Sequence, residues 1–113
     1  MEPTAMDREC LEAVRGILLE LPAVREGKMF GAPSFFVGRK LFACVLEGVV
    51  GFKVPQEQAR RMLDKPQFAP FQPYGKRRMR EWVQFTCVAT GLLAEYEDAL
   101  LSAYEYVAGN GDQ

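Results

Sequence analysis

The densest run of chemically active groups in this chain is cationic. Lys76-Arg77-Arg78-Met79-Arg80 puts four positive charges into five residues, and Arg60, Arg61 and Lys65 stand a few residues earlier. Such a cluster raises the local potential enough to attract phosphate whatever the net charge. Tyr74 and Trp82 flank it, and aromatic faces beside arginines suit the stacking of single-stranded bases. The competing reading is that these cations pair with the acidic face of the C-terminal segment, Glu95, Glu97, Asp98 and Glu105, or stay solvated.

Elsewhere the chemical repertoire is thin. The chain has no histidine, which removes Ser-His and Cys-His nucleophilic pairs and imidazole acid–base work. Ser34 and Ser102 are the only serines, no phosphate-cradling glycine loop occurs, and the neighbouring carboxylates Glu95, Glu97 and Asp98 read as a solvated helix face. The expectation is a non-enzymatic protein with no cofactor. Cys10, Cys44 and Cys87 are widely spaced and odd in number; they read as small buried hydrophobes of a reducing cytosol, with no metal site. Charges crowd the N-terminus and no apolar run approaches a membrane span, so a cytoplasmic protein without signal peptide or membrane partner is expected.

Three aromatics, Phe68, Phe71 and Tyr74, lie three residues apart on a proline-rich stretch. Together with Trp82 they form a candidate surface for a protein partner; the alternative is a lid that pins the loop to the core.

These groups need elements to carry them. A chain of 113 residues, 49 % apolar and 26 % charged, is one globular domain. Apolar residues at three- and four-residue steps predict a helix over 5–21, with Thr4 and Asp7 resembling a capping box and Pro22 ending it. Short β-prone runs broken by glycine turns predict a meander of antiparallel strands over 24–54. A short helix over 56–64 follows Pro55, then an irregular proline and aromatic loop over 65–79. Alternation predicts a strand over 80–86, and a stripe from Leu92 to Val107 predicts a helix over 92–107 with a tail at 109–113. The sum is an α+β domain, a mostly antiparallel sheet of four or five strands with helices on one face, in the order α-β-β-β(-β)-α-β-α. Leu41 to Leu46 is apolar on both faces, so either the proline-rich loop or a second subunit must cover the far side, and a homodimer is expected.

The charge balance changes once it is divided among these elements. Fourteen basic and fifteen acidic groups give a net charge of -1. Residues 1–23 hold two basic and five acidic groups, 24–80 hold twelve and four, and 81–113 hold none and six. A strongly basic middle lies between two acidic helical ends.

Lys28-Met29-Phe30-Gly31, followed by a strand, a glycine turn, Lys40-Leu41-Phe42-Ala43 and a strand ending Phe52-Lys53-Val54-Pro55, resembles the TfoX N-terminal domain family. Gly75, Lys76 and Met79 fall where that family has a small-basic-Met segment; Ala32 departs from a glycine often found after the signature. The resemblance spans about residues 10–108. It implies an α+β domain of TfoX/Sxy-type competence regulators, which act on transcription beside a cyclic-AMP receptor protein and carry a second, helical domain that has no counterpart in this sequence. It offers no catalytic residues. The function expected is therefore a regulatory or interaction domain with a protein partner, the alternative being direct nucleic-acid binding through the basic cluster. A weaker third option is a small-molecule-binding or enzymatic pocket between sheet and aromatic loop, lined by Phe68, Phe71 and Trp82.

Overall fold

The computed structural model describes residues 5–29, 31–46, 48–72, 80–86 and 94–109. The cluster residues Lys76, Arg77 and Arg78, with Tyr74, Phe30 and Thr4, lie outside the described residues.

Helix α1 (Ala5–Leu18) leads into an antiparallel meander, β1 (Val24–Met29), β2 (Ala32–Val37), β3 (Lys40–Leu46) and β4 (Val49–Lys53). Then come α2 (Gln56–Met62), a two-residue strand β5 (Ala69–Pro70), β6 (Trp82–Thr86) and α3 (Ala94–Gly109). The six strands form one fully antiparallel sheet in the order β1-β2-β3-β4-β6-β5. Gly31, Gly38 and Gly48 take φ of 75°, 61° and 79° in the short hairpin turns, a region that side chains with a Cβ avoid.

The α+β class and the element order follow the sequence expectation, with two differences. Helix α1 stops at Leu18, short of Pro22. The chain turns through Leu21 N–H to Leu18 C=O (3.1 Å) and Ala23 at φ 67°, which keeps Leu21 against the core without a further helical turn. The sheet also gains β5 inside the expected irregular loop. Pro70 is tolerated there because β5 is the edge strand, with β6 as its one neighbour.

Helices α1 and α3 cover one face of the sheet. Cys10, Val14 and Leu18 of α1 and Tyr96, Ala99, Leu100, Ala103 and Val107 of α3 close on Phe35, Phe42, Val50, Phe52, Val83 and Phe85. A register shift sets Phe35 opposite Ala43 but Phe36 opposite Leu41, leaving β3 one residue in excess. Through this bulge the neighbours Phe42 and Ala43 both join the helix-side core. Cys10 is disulfide-bonded, which corrects its reading as a plain reduced hydrophobe.

The far face of the sheet is closed within the chain. Phe71, directly after β5, lies over Gly51 and packs with Cys44 and Trp82, with Leu41 and Leu46 at the margin. Ala32, Ser34, Phe36, Cys44 and Trp82 on that side are all buried. Large apolar residues that are exposed number only Leu19 and Met29 among the described residues. The expected second subunit over this face therefore has no open apolar surface to cover there. Among the described residues no helix is long and apolar enough to cross a membrane.

Candidate functional site: an arginine corner

Two strand ends and a helix meet at one corner of the sheet. Val54 N–H donates to Glu81 C=O at 2.9 Å, so the residue after β4 is tied to the residue after Arg80. Helix α2 leaves from this junction and Arg80 leads into β6. The carboxylate of Glu81 is held from two sides: the Tyr106 hydroxyl donates to it at 2.5 Å and the Lys53 ammonium lies 3.7 Å away. That hydrogen bond, with partial burial, pushes the Tyr106 phenol above its ordinary range. The junction is thus fixed to α3, and Glu81 is engaged away from its neighbour Arg80.

Helix α2 turns Ala59 into the core and sends Glu57, Arg60 and Arg61 outward; Asp64, just past its end, is exposed as well, and the four are spaced three and four apart as one helical face requires. These four with Leu63 line an open cleft of about 350 Å³. Arg60, Arg61 and Arg80 are exposed, and none makes an ion pair with a described carboxylate. Between the sequence alternatives for these three cations, pairing with α3 is not what occurs. Glu97, Asp98 and Glu105 are exposed on α3, and of its acids Glu95 is the one engaged, by Lys65 at 3.9 Å and Gln67 at 2.6 Å. Lys76, Arg77 and Arg78 belong to the segment 73–79 outside the described residues, which joins Gln72 to Arg80.

The aromatic candidates fall differently from the expected surface. Phe68 and Phe71 flank β5 and point to opposite faces of the sheet. Phe68 meets Phe52 and Tyr96 on the helix side, with ring centroids at 6.1 and 5.9 Å. Phe71 meets Trp82 on the other side at 5.4 Å. Their exposures are 6 %, 2 % and 9 % for Phe68, Phe71 and Trp82, so these three are core, not an open contact surface. No one pocket can be lined by all three, since the sheet separates Phe68 from the other two. The groove that Phe68 does border, about 300 Å³ between α2 and α3, is lined by Met62, Lys65, Glu95, Asp98 and Ser102 as well.

The Cys44 thiol sits under Phe71 and Trp82, and burial pushes its pKa up to about 12. A thiol held protonated in this way is a poor nucleophile. Sequence reasoning missed the Glu81 junction because Lys53, Glu81 and Tyr106 are far apart in the chain and carry no spacing signal. Of the α2 cleft, sequence reasoning singled out Arg60 and Arg61 and missed Glu57 and Asp64; their three- and four-residue spacing from the arginines is the signal that sets all four on one face.

A scan against family models matches YjbR over residues 19–106, more than three quarters of the chain. The chain belongs to the YjbR family. This overturns the TfoX resemblance, since the model that matches is YjbR and no match to TfoX occurs. The physical reason lies in the signature itself. Lys28, Met29 and Gly31 build the β1–β2 hairpin, with Gly31 at φ 75° and Met29 opposite Ala32; residues that satisfy a turn mark a local shape, which does not by itself fix a family. The YjbR domain also resembles the crystal structure of Deinococcus radiodurans protein DR2400, described as a DUF419 domain. The TM-score is 0.74 at 20 % identity, covering 96 % of this chain and 85 % of that one. At that identity the likeness concerns the fold. None of the curated proteins matches the chain.

Proposed function

We propose that this YjbR-family domain is a non-enzymatic interaction domain that binds a polyanion, specifically a nucleic-acid backbone, at the arginine corner. The observation that carries the reading is that Arg60, Arg61 and Arg80 are exposed without a carboxylate partner. Arg80 follows Lys76-Arg77-Arg78 in the chain with only Met79 between. Arg60 and Arg61 line one cleft, and guanidinium groups left unpaired are suited to phosphate oxygens, which accept two parallel N–H donors. Most exposed carboxylates stand on α1 and α3; at the corner Glu57 and Asp64 line the cleft beside Arg60 and Arg61, so the excess positive charge there is supplied by Arg80 and the Lys76-Arg77-Arg78 run that precedes it in the chain. A protein partner on the aromatic residues is less well supported, because Phe68, Phe71 and Trp82 are already packed.

Fluorescence anisotropy with a labelled duplex and a labelled single strand at low salt tests this. The wild-type chain should bind, and Arg60→Ala/Arg61→Ala and Arg80→Ala should each weaken binding. Lys76→Ala/Arg77→Ala/Arg78→Ala should weaken it most. Absence of binding to both strand forms, or binding indifferent to all these changes, contradicts the proposal.

A further inference from the structure

The two edges of the sheet are unlike. On one side β5 is two residues long and contains Pro70, which blunts it. On the other, β1 runs for six residues, Val24-Arg25-Glu26-Gly27-Lys28-Met29, and no strand pairs with its far side among the described residues. We propose that β1 pairs antiparallel with β1 of a second copy of this chain, about a two-fold axis through Gly27. The proposal is independent of polyanion binding.

The register follows from three constraints. The first is hydrogen-bond parity. Lys28 stands opposite Pro33 on β2, and Pro33 has no N–H, so this pair must be of the kind that exchanges no hydrogen bonds. The backbone groups of residues 24, 26 and 28 therefore face away from β2, and those of 25, 27 and 29 face toward it. The bond from Val24 N–H to Leu21 C=O (3.4 Å) agrees with this. A second β1 can then be hydrogen-bonded only with even-numbered residues opposite even-numbered ones. The second constraint is charge. Centring on Glu26 sets Glu26 against Glu26, and centring on Lys28 sets Lys28 against Lys28. Centring on Gly27 sets Glu26 of each copy against Lys28 of the other, twice, on the same face. Glu26 accepts from Arg15 at 2.7 and 2.8 Å, and Arg15 also holds Glu12; one cation between two carboxylates leaves that cluster with excess negative charge. Lys28 is exposed and has no ion-pair partner among the described residues. A second copy supplies each with what it lacks.

The third constraint is apolar surface. The same register sets Met29 opposite Arg25 on the other face. Arg25 already lies over the Phe36 ring at 4.6 Å, and Met29, exposed at 37 %, would be covered by the partner copy's Arg25 stem.

Sedimentation of the full chain over a range of concentrations, up to millimolar, tests the pairing. The wild type should show a monomer–dimer equilibrium, which Lys28→Glu weakens about tenfold or more by setting carboxylates opposite one another twice. Met29→Lys should weaken it independently, and circular dichroism should show both variants folded. Carbodiimide coupling of mixed isotopically light and heavy chains should join Glu26 of one to Lys28 of the other. A strict monomer at every concentration overturns the proposal. So does a dimer that Lys28→Glu and Met29→Lys leave unchanged, or one whose cross-links exclude the Glu26–Lys28 pair.

Discussion

Glu26 is a carboxylate whose environment is set almost entirely by one neighbour. The Arg15 guanidinium, bonded to both its oxygens, holds its pKa below the usual carboxylate range against the opposing effect of burial. A carboxylate with a depressed folded pKa adds stability above its unfolded pKa, about 4.3 for glutamate, and that stability is lost as pH falls through the folded value. Denaturant unfolding at neutral pH should show Glu26→Gln less stable by about 1 kcal/mol. The difference should shrink toward zero as the pH is lowered through the acid range. Cys44 gives a second prediction at this scale. With its thiol pushed up to about 12 by burial under Phe71 and Trp82, it should resist maleimide in the native chain at neutral pH and label fully in denaturant. Peptide mass spectrometry reads this at Cys44 alone, and fast native labelling would contradict the packing described.

Between elements, the decisive contact is Phe71 over Gly51. A Cβ built on Gly51 would stand 2.6 Å from the Phe71 ring, closer than packed carbon atoms tolerate, and Phe71 is buried with little room to retreat. Gly51→Ala should therefore destabilise the chain by about 1–3 kcal/mol, the range for overpacking a filled core. Trimming the ring with Phe71→Leu should make the two changes markedly less than additive in a double-mutant cycle. Additive costs would mean that the two residues do not touch. This contact also shows where sequence reasoning stopped. The hairpins of β1 to β4 were legible because glycine turns and β-prone runs are local signals. That Phe68 and Phe71 take opposite faces was not, because it depends on β5 pairing with β6 at Ala69 opposite Gln84. A two-residue strand containing proline leaves no alternation to read. The apolar faces of Leu41 to Leu46 posed the right question, what covers the second side, and Phe71 is a large part of the answer.

Over the whole molecule, the near-neutral total charge conceals a division that the fold preserves. Acidic groups gather on α1 and α3, while α2, Arg80 and the segment leading to it are rich in arginine and lysine. The sequence supports that division directly, since it follows from counting charges by segment. It does not say which cations are paired; that needed the α3 carboxylates to be placed, and they leave Arg60, Arg61 and Arg80 unmatched. The most direct measurement of polyanion binding is the salt dependence of affinity for a labelled oligonucleotide. Each phosphate contact releases counterions and steepens the fall of affinity with salt. A steep negative log–log slope for the wild type, reduced by about one for each arginine or lysine removed from the corner, is the predicted result. A flat slope, or a slope unchanged when Arg60, Arg61 and Arg80 become alanine together, would contradict it.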